Sequence, residues 1–209
     1  CLSRGLGDVY KRQVTCTKSN EGFATAGGVQ YVACAGNFKD AGLEYTGALK
    51  VLQMIFSYEY LWIQIRVKGG AYGCMCSFSD QGDSMFVTYR DPNLSESYKV
   101  YDEAADYVAD FDADDRDMKK YIIGTIGIMD MPMEAVDMGA RSFHAYFLGK
   151  TEADLQKVRD QVLSCTQEDI RALAPIVKAV VEAGNRCCIG NEEKIDQNKE
   201  YFDEVKHVL

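Results

Sequence analysis

A double glycine inside a short polar junction constrains the possible folds of this chain more than any other feature. The junction reads Arg-Val-Lys-Gly-Gly-Ala-Tyr-Gly and runs from Arg66 to Gly73. A long apolar segment, Leu43 to Ile65, precedes it, and an alternating segment, Gly73 to Tyr89, follows it. Glycine adopts positive φ angles at little steric cost and lets a ligand approach the backbone. The pattern therefore predicts a turn from a helix into a hairpin that displays Arg66 and Tyr72 on either side.

The rest of the chain predicts strands and helices that are segregated along the sequence. Helical spacing predicts a core helix over Leu43 to Tyr60, after which Tyr60 to Ile65 leaves the helix. Glu21 to Gly28 is predicted to be a loop, and Asn191 to about Val205 a final helix. The predicted strands are Val29–Ala35, Cys74–Ser79, Ser84–Tyr89 and Arg186–Ile189. We therefore predict an α+β fold with a mostly antiparallel sheet of about four strands, covered by several helices.

The composition excludes some classes of partner. The 209 residues carry a formal net charge of -9, so neither nucleic acid nor an anionic membrane is an expected partner. No run of about 18 apolar residues occurs, and no membrane span is expected. The eight cysteines include no Cys-x-x-Cys pair, which favours buried free thiols over a metal or redox motif. Free thiols are typical of a reducing compartment, so we expect a cytoplasmic protein.

The first thirteen residues, Cys1 to Gln13, differ in character from the rest. They begin without methionine and resemble the translated end of a transposon-type sequencing adapter. We exclude this stretch from the fold prediction as probable non-native read-through sequence, as is done for a fusion scar. We expect residues 14–209 to form a single α+β domain, and the chain to be a fragment of a longer protein whose N-terminal part is missing.

Several catalytic chemistries lack the residues they need. The two histidines, His144 and His207, belong to no His-Glu-x-x-His or His-x-x-Glu-His motif, so this chain alone is expected to bind no zinc. His144 lies on a predicted apolar helix face and is interpreted as a structural histidine. The glycine junction lacks the Lys-Ser/Thr end of a phosphate-binding loop, which argues against a nucleotide site. A cysteine–histidine dyad stays open, without local support.

Arg66 and Tyr72 then remain as candidate functional groups. Arginine offers a fixed fork of N–H donors and tyrosine offers one O–H donor. Two such donors converging on one carbonyl oxygen would bind a peptide or stabilise a developing oxyanion. The residues alone equally allow a structural role, in which Arg66 pairs with an acid and Tyr72 fills the core.

Two segments in matching register resemble a known family. The first runs from Tyr60 to Gly73 and reads Tyr-Leu-Trp-Ile-Gln-Ile-Arg-Val-Lys-Gly-Gly-Ala-Tyr-Gly. The second runs from Tyr89 to Leu94 and reads Tyr-Arg-Asp-Pro-Asn-Leu. Together they resemble the last domain of the presequence-protease branch of the pitrilysin/insulinase metalloproteases. Val29 to Val32 also fits, and the order of elements extends the likeness over about Asn20 to Leu209.

The resemblance implies a role inside an enzyme built from two halves. In that family four related α+β domains close around a peptide chamber, and the first domain carries zinc on a His-x-x-Glu-His motif. The last domain supplies an arginine and a tyrosine that contact the substrate carbonyl at the zinc, and these match Arg66 and Tyr72. The residues that would line the site are Gly69, Gly70, Ala71 and Gly73.

The resemblance also fixes the expected cofactor and partners. Zinc would be bound by the missing N-terminal half and not by this chain, so that half is the expected partner. The substrates would be unfolded peptides, and the isolated chain is expected to hydrolyse nothing. The alternative is a non-catalytic scaffold or peptide-binding subunit of the same fold. An upstream His-x-x-Glu-His motif with a downstream glutamate would favour the zinc metalloendopeptidase.

Overall fold

The computed structural model describes residues 17–208, so the proposed read-through segment, Cys1 to Gln13, lies outside the described residues. Within this range the chain forms one six-stranded sheet and a layer of helices, which confirms the predicted α+β class. The strands are β1 (Glu21–Thr25), β2 (Tyr31–Asn37), β3 (Gly73–Phe78), β4 (Asp83–Tyr89), β5 (Asn185–Asn191) and β6 (Glu204–His207).

The helices fill the long intervals between strands. A π-helix spans Trp62–Lys68, and 3-10 turns span Phe38–Ala41 and Lys199–Tyr201. The α-helices are α1 (Ala48–Tyr58), α2 (Ser95–Asp102), α3 (Ala104–Ala109), α4 (Asp115–Met129), α5 (Ala135–Phe147), α6 (Glu152–Leu163), α7 (Gln167–Arg171), α8 (Ala174–Glu182) and α9 (Glu192–Gln197). Helices α6 and α7 each begin with a capping box, in which a threonine and an aspartate three residues later exchange hydrogen bonds.

The sheet has the strand order β3-β4-β2-β5-β1-β6. Strand β2 pairs antiparallel with β4 and β5, and β3 pairs antiparallel with β4. Strand β1 pairs parallel with both β5 and β6. The sheet is therefore mostly antiparallel, as predicted, with a parallel section at one side.

The sheet has six strands where about four are predicted, because β1 and β6 have weak local signals. Gly22 favours a loop in the sequence, yet a side chain there would lie 2.9 Å from Ile195 Cγ2. The glycine thus allows α9 to pack closely on β1. Strand β6 lies where the final helix is predicted, but that helix ends at Gln197. Its strand conformation depends on pairing with β1, which a local pattern does not reveal.

Helices cover one face of the sheet. Alternate strand residues on that face, among them Val32, Cys34, Phe86 and Cys188, are at most 1% exposed. The opposite face is left open by the described residues. Its large side chains expose between 36% and 56% of their surface; they are Tyr31, Met75, Met85, Tyr89 and Ile189. The open face ends at the glycine junction, because Gly73 begins β3 and pairs with Tyr89.

The core is richest in aromatic rings where α1 meets the sheet. Phe56 of α1 is fully buried, and its ring centre lies between 5.8 and 6.4 Å from those of four other aromatic residues. These neighbours are Tyr60, Phe78, Phe86 and Tyr107. One side chain therefore joins α1 to β3, β4 and α3, and it anchors the helix that leads into the junction.

Helix α5 lies at the surface and buries none of its residues against the rest of the described chain. Tyr146 is 80% exposed and Phe147 is 69% exposed. His144 is exposed as well, so its interpretation as a packed structural histidine is wrong. The apolar face that suggested packing is present, but nothing in residues 17–208 covers it. Across the described residues, no helix has both the length and the apolar character needed to cross a membrane.

Candidate active site

Arg66 and Tyr72 lie side by side at the junction. Arg66 Nη1 donates a hydrogen bond to the Tyr72 carbonyl oxygen at 2.8 Å, and its guanidinium carbon lies 5.7 Å from the centre of the Tyr72 ring. Tyr72 exposes 65% of its surface, so it does not fill the core. Arg66 forms no salt bridge with any acid of residues 17–208, whereas Arg159 and Arg186 do. Both side chains are thus available for a ligand.

A π-helix carries Arg66 to this position. The Gly69 N–H donates to the Gln64 carbonyl oxygen, five residues back, at 3.0 Å. Helical structure continues to Lys68, so the prediction that the chain leaves the helix between Tyr60 and Ile65 is wrong. π-helical turns are rare and frequently occur at functional sites, because the wider turn re-aims side chains.

The Trp62 ring packs against the Arg66 guanidinium. Trp62 precedes Arg66 by four residues, and the centre of its ring lies 4.2 Å from the guanidinium carbon. A guanidinium over an indole face gains about 0.5–1 kcal/mol at an exposed site. Trp62 is the single tryptophan of the sequence, so its fluorescence reports on this site alone.

The glycines shape the turn from the π-helix into β3. Gly70 has a φ of +80°, in the left-handed region that glycine adopts easily. The N–H groups of Gly69, Gly70 and Ala71 all donate to carbonyl oxygens of the π-helix. Ala71 is only 4% exposed, and Gly73 is paired in the sheet. These four residues therefore give the site its shape. The N–H groups of the first three are already hydrogen-bonded to the π-helix, so they are not free to bind a ligand.

The structure brings the two family-like segments together. The Tyr72 N–H donates to the Arg90 carbonyl oxygen at 3.2 Å. Asn93 Nδ2 donates to the Gly69 carbonyl oxygen at 2.6 Å. The segment Tyr89–Leu94 begins at the last residue of β4 and thus braces the glycine junction. This contact explains why the two segments occur together in the sequence.

A buried aspartate fixes this bracing segment. Asp91 is fully buried, and its carboxylate accepts hydrogen bonds from the Asn93 N–H at 2.9 Å and from the Ser97 hydroxyl at 2.6 Å. Its backbone exchanges two hydrogen bonds with Gln30 on the other side. Burial raises the pKa of Asp91 above its ordinary value of 3.8, and the Ser97 and Asn93 hydrogen bonds only partly oppose that rise.

This raised pKa predicts a specific pH dependence of stability. Between 3.8 and its raised pKa, Asp91 holds a proton in the folded chain that it has lost in the unfolded chain. The contribution of Asp91 to the free energy of unfolding therefore increases as pH falls through that interval. We expect the wild type to gain stability relative to Asp91→Asn on going from pH 7 toward pH 3.8, measured by urea unfolding at each pH. A relative loss on acidification would contradict the assignment.

Other chemistries find no support in the described residues. No cluster of three or more histidine, cysteine, aspartate or glutamate side chains there can hold a metal ion, so these residues do not fit zinc. The six described cysteines are free. Burial raises the pKa of Cys34 and of Cys74 to about 11 and that of Cys165 and of Cys188 to about 12. Such thiols stay protonated at neutral pH, so they are poor nucleophiles for a cysteine–histidine dyad.

Arg66 and Tyr72 lie on an open surface and not in a closed pocket. Grooves on the described surface include one between α1 and α4 that is lined by Met54, Tyr58 and Tyr121. It contains neither Arg66 nor Tyr72. The two donors instead project from the rim of the open sheet face.

Three residues of the site were not expected from the sequence. Trp62 supports Arg66, Asn93 holds Gly69, and Arg90 holds Tyr72 through its backbone. The spacing of four residues between Trp62 and Arg66 on a helix was the available signal for the first. The other two depend on contacts between the residues that follow β4 and the junction, for which the sequence carries no local signal.

Solved structures share this fold. A peptidase M16 inactive domain from Pseudomonas fluorescens superposes with a TM-score of 0.59 at 16% identity, over 85% of this chain and 44% of that chain. At this identity the likeness concerns the fold alone. The chain therefore has the fold of an M16 peptidase domain, with an arginine–tyrosine pair at the rim of its sheet.

The sequence comparisons narrow this class to one family. The family model described as PreP C-terminal domain matches residues 20–191, so the chain belongs to the PreP C-terminal domain family, which confirms the resemblance seen in the sequence. It is 43% identical to Protein HypA of Clostridium perfringens over 192 residues, which are 92% of this chain and 20% of HypA. It is 34% identical to Presequence protease 1, chloroplastic/mitochondrial, of Arabidopsis thaliana over 194 residues, which are 91% of this chain and 18% of that protein. The chain thus spans about a fifth of the length of these relatives.

Proposed function

We propose that this chain is the domain that binds substrate and completes the active site of a zinc metalloendopeptidase that degrades unfolded peptides. In this proposal Arg66 and Tyr72 donate hydrogen bonds to the carbonyl oxygen of the peptide bond to be cleaved. The observation that carries it is the pair itself, in which the guanidinium carbon of the half-buried Arg66 lies 5.7 Å from the ring centre of the exposed Tyr72 at the end of a π-helix. Membership of the PreP C-terminal domain family supports the reaction class.

The chemistry of the two donors suits a carbonyl that gains negative charge. The Arg66 guanidinium spends one N–H on the Tyr72 carbonyl oxygen and keeps others for a ligand. The hydrogen bonds found among residues 17–208 leave the Tyr72 hydroxyl unpaired. Donors that are already positioned stabilise an oxyanion without reorganisation, each by about 3 kcal/mol. Trp62 supplies that positioning for Arg66, and the Arg90 carbonyl supplies it for the Tyr72 backbone.

The zinc of this proposal belongs to another part of the longer enzyme, since the described residues do not fit it. That part, an N-terminal half that carries the metal, is the proposed partner of this domain. When bound there, zinc would act as the Lewis acid of the reaction. Residues of the present chain would bind and orient the peptide carbonyl from the opposite side.

The proposal specifies the compartment only coarsely. The expected cytoplasmic location has no support from the comparisons, because the Arabidopsis relative has a chloroplastic/mitochondrial name and the name of HypA includes no compartment. The free thiols of the described cysteines fit a reducing compartment of any kind. Nucleic acid is not a proposed partner, given the net charge of -9.

A peptide titration followed by Trp62 fluorescence tests this function on the chain itself. We expect an unfolded, tryptophan-free peptide to change the emission saturably, with a Kd in about the millimolar range for half of a site. Arg66→Ala and Tyr72→Phe should each weaken binding by about tenfold, because each removes one hydrogen bond to the peptide. The matched control Tyr58→Phe, whose ring is also exposed, should leave it unchanged.

The same samples test whether the chain acts alone. With zinc added, we expect no peptide cleavage by mass spectrometry, because the described residues do not bind the metal. Zinc-dependent turnover by the isolated chain would contradict the proposal. Failure of any unfolded peptide to bind would contradict it equally.

A further inference from the structure

Arg90 has an unusual backbone conformation next to the candidate site. Its φ is +50°, and it is the one non-glycine residue with a positive φ in the part of the chain that the structure describes. A side chain is sterically disfavoured in the left-handed region, and glycine would avoid that cost. Such strained residues persist where the surrounding structure enforces them, and they cluster at functional sites.

Hydrogen bonds on both sides enforce this conformation. The Arg90 carbonyl oxygen accepts the Tyr72 N–H at 3.2 Å. The next residue, Asp91, is tied to Gln30 by two backbone hydrogen bonds of 2.7 and 2.8 Å. The backbone at Arg90 is therefore fixed, and its side chain points out of the sheet into solvent.

The Arg90 side chain lies beside the middle ring of a row of three tyrosines. The ring centres of Tyr72 and Tyr89 are 5.8 Å apart, and those of Tyr89 and Tyr31 are 5.4 Å apart. The guanidinium carbon of Arg90 lies 5.7 Å from the Tyr89 ring centre. The neighbouring Tyr31 side chain is the first cause that raises the pKa of Arg90 above its ordinary value. The row of tyrosines thus connects the Arg90 guanidinium to the Arg66–Tyr72 pair.

This guanidinium has no carboxylate partner among residues 17–208. By contrast, Arg159 is bound to Asp130 in a two-point pair, and Arg186 is bound to Asp102 at 2.7 Å. In a chain with a net charge of -9, an exposed arginine beside tyrosine hydroxyls is a site of locally positive charge. Arginine binds carboxylates with two parallel hydrogen bonds, and tyrosine hydroxyls add a further donor.

We propose that Arg90 and Tyr31 form a second subsite that binds a carboxylate of the peptide whose carbonyl is held by Arg66 and Tyr72. The inference rests on the proposed function, since it assumes that a peptide binds beside Tyr72. The carboxylate belongs either to an acidic side chain or to the C-terminus of the peptide. Arg90 is then a residue that determines specificity, and its fixed backbone keeps the two subsites at a constant separation.

Four tryptophan-free peptides test the subsite on the 209-residue chain, with Trp62 fluorescence as the readout. They share one sequence and vary two groups in all four combinations. The internal residue is Gln or Glu, and the C-terminus is amidated or a free carboxylate. We expect a carboxylate at the matching place to tighten binding by about tenfold, as is typical of a charge-assisted pair. The Glu and free-acid arms identify which source of the carboxylate is used.

Variants of Arg90 test whether its side chain, and not its backbone, causes the preference for a carboxylate. We expect Arg90→Gln to abolish the tenfold preference for the peptides that carry a carboxylate. Arg90→Lys, which keeps the charge but not the planar fork, should retain a part of the preference. Arg116→Gln, at an equally exposed arginine on α4, is the matched control and should change neither affinity. Far-UV circular dichroism of each variant checks that it folds.

The outcomes distinguish this inference from the proposed function. Equal affinity for all four peptides, or a preference that survives in Arg90→Gln, overturns the Arg90 subsite. If the neutral peptide binds and Arg66→Ala weakens it, the proposed function stands whatever happens at Arg90. If only carboxylate peptides bind, through Arg90 and without dependence on Arg66 or Tyr72, the subsite stands and the proposed role of the pair fails.

Discussion

We expect Arg66→Ala to lower kcat by about a hundredfold or more in a full-length enzyme that contains this domain, with a much smaller effect on stability. The arginine is not part of the core, and its contacts are a hydrogen bond to a backbone carbonyl and the stacking on Trp62. Its removal therefore changes the free energy of unfolding by about 1 kcal/mol or less. The loss of one preorganised donor to a developing oxyanion costs about 3 kcal/mol in the transition state.

Tyr72→Phe is the sharper companion variant, because it removes a single oxygen atom. The ring keeps its contact with Tyr89 at 5.8 Å and the backbone keeps its bond to Arg90. We expect a fall in kcat of the same order, since the hydroxyl is the group proposed to contact the carbonyl oxygen. Steady-state kinetics and thermal unfolding of the same preparations give both quantities, and Tyr58→Phe serves as the control. Unchanged kcat in both site variants would remove the proposed role.

Phe56→Ala should produce the largest loss of stability of the variants considered. The ring is fully buried among four aromatic neighbours, one of which directly follows α1 while the others belong to β3, β4 and α3. Truncating a buried phenylalanine removes its transfer free energy and leaves a cavity, which together cost about 3–5 kcal/mol. That is a large share of the stability of an ordinary domain, so the midpoint of urea unfolding should fall steeply.

Two controls isolate the packing term. Phe56→Leu retains most of the apolar volume, and we expect it to cost about 1.5 kcal/mol or less. Tyr58 lies two residues away on the same helix and is 64% exposed. Tyr58→Ala should therefore change the free energy of unfolding by about 0.5 kcal/mol at most. If Phe56→Ala behaved like Tyr58→Ala, the aromatic cluster would not be the core that joins α1 to the sheet.

The sequence predicts those parts of the fold whose causes are local. The helical spacing before the junction and the alternation after it correspond to α1 and to the β3–β4 hairpin. A threonine followed by an aspartate three residues later is the local signal for the start of α7, where the structure has a capping box. The α+β class follows from the same elements. These features depend on side-chain periodicity and on hydrogen bonds between near neighbours, which any window of the sequence contains.

The elements that the sequence does not predict are those decided by distant contacts. Strand β1 is short and contains Gly22, and it becomes a strand only because β5 and β6 flank it. The π-helix ends in a turn braced by Asn93, which lies beyond the hairpin. Tertiary pairing overrides a weak local preference in both places.

Some residues of the candidate site can likewise be predicted from local sequence, and others cannot. Arg66 and Tyr72 are visible in the sequence because they flank a double glycine, and the structure places them together. The positive φ of Arg90 is not visible, since arginine has no local preference for that conformation. His144 is predicted to pack because it lies on an apolar helix face, but that face stays exposed in the described residues.

The position of β1 in the sheet has a consequence for how the chain folds. Glu21 pairs with Cys187 on one side and with Glu204 on the other, so β1 has no partner close to it in sequence. Pairings between such distant segments require the closure of long loops, which slows folding. During synthesis, β1 leaves the ribosome before β5 and β6, so it has no hydrogen-bonding strand until both have been made. The hairpin and α1, with the candidate site between them, are local enough to form before β5 and β6 have been synthesised.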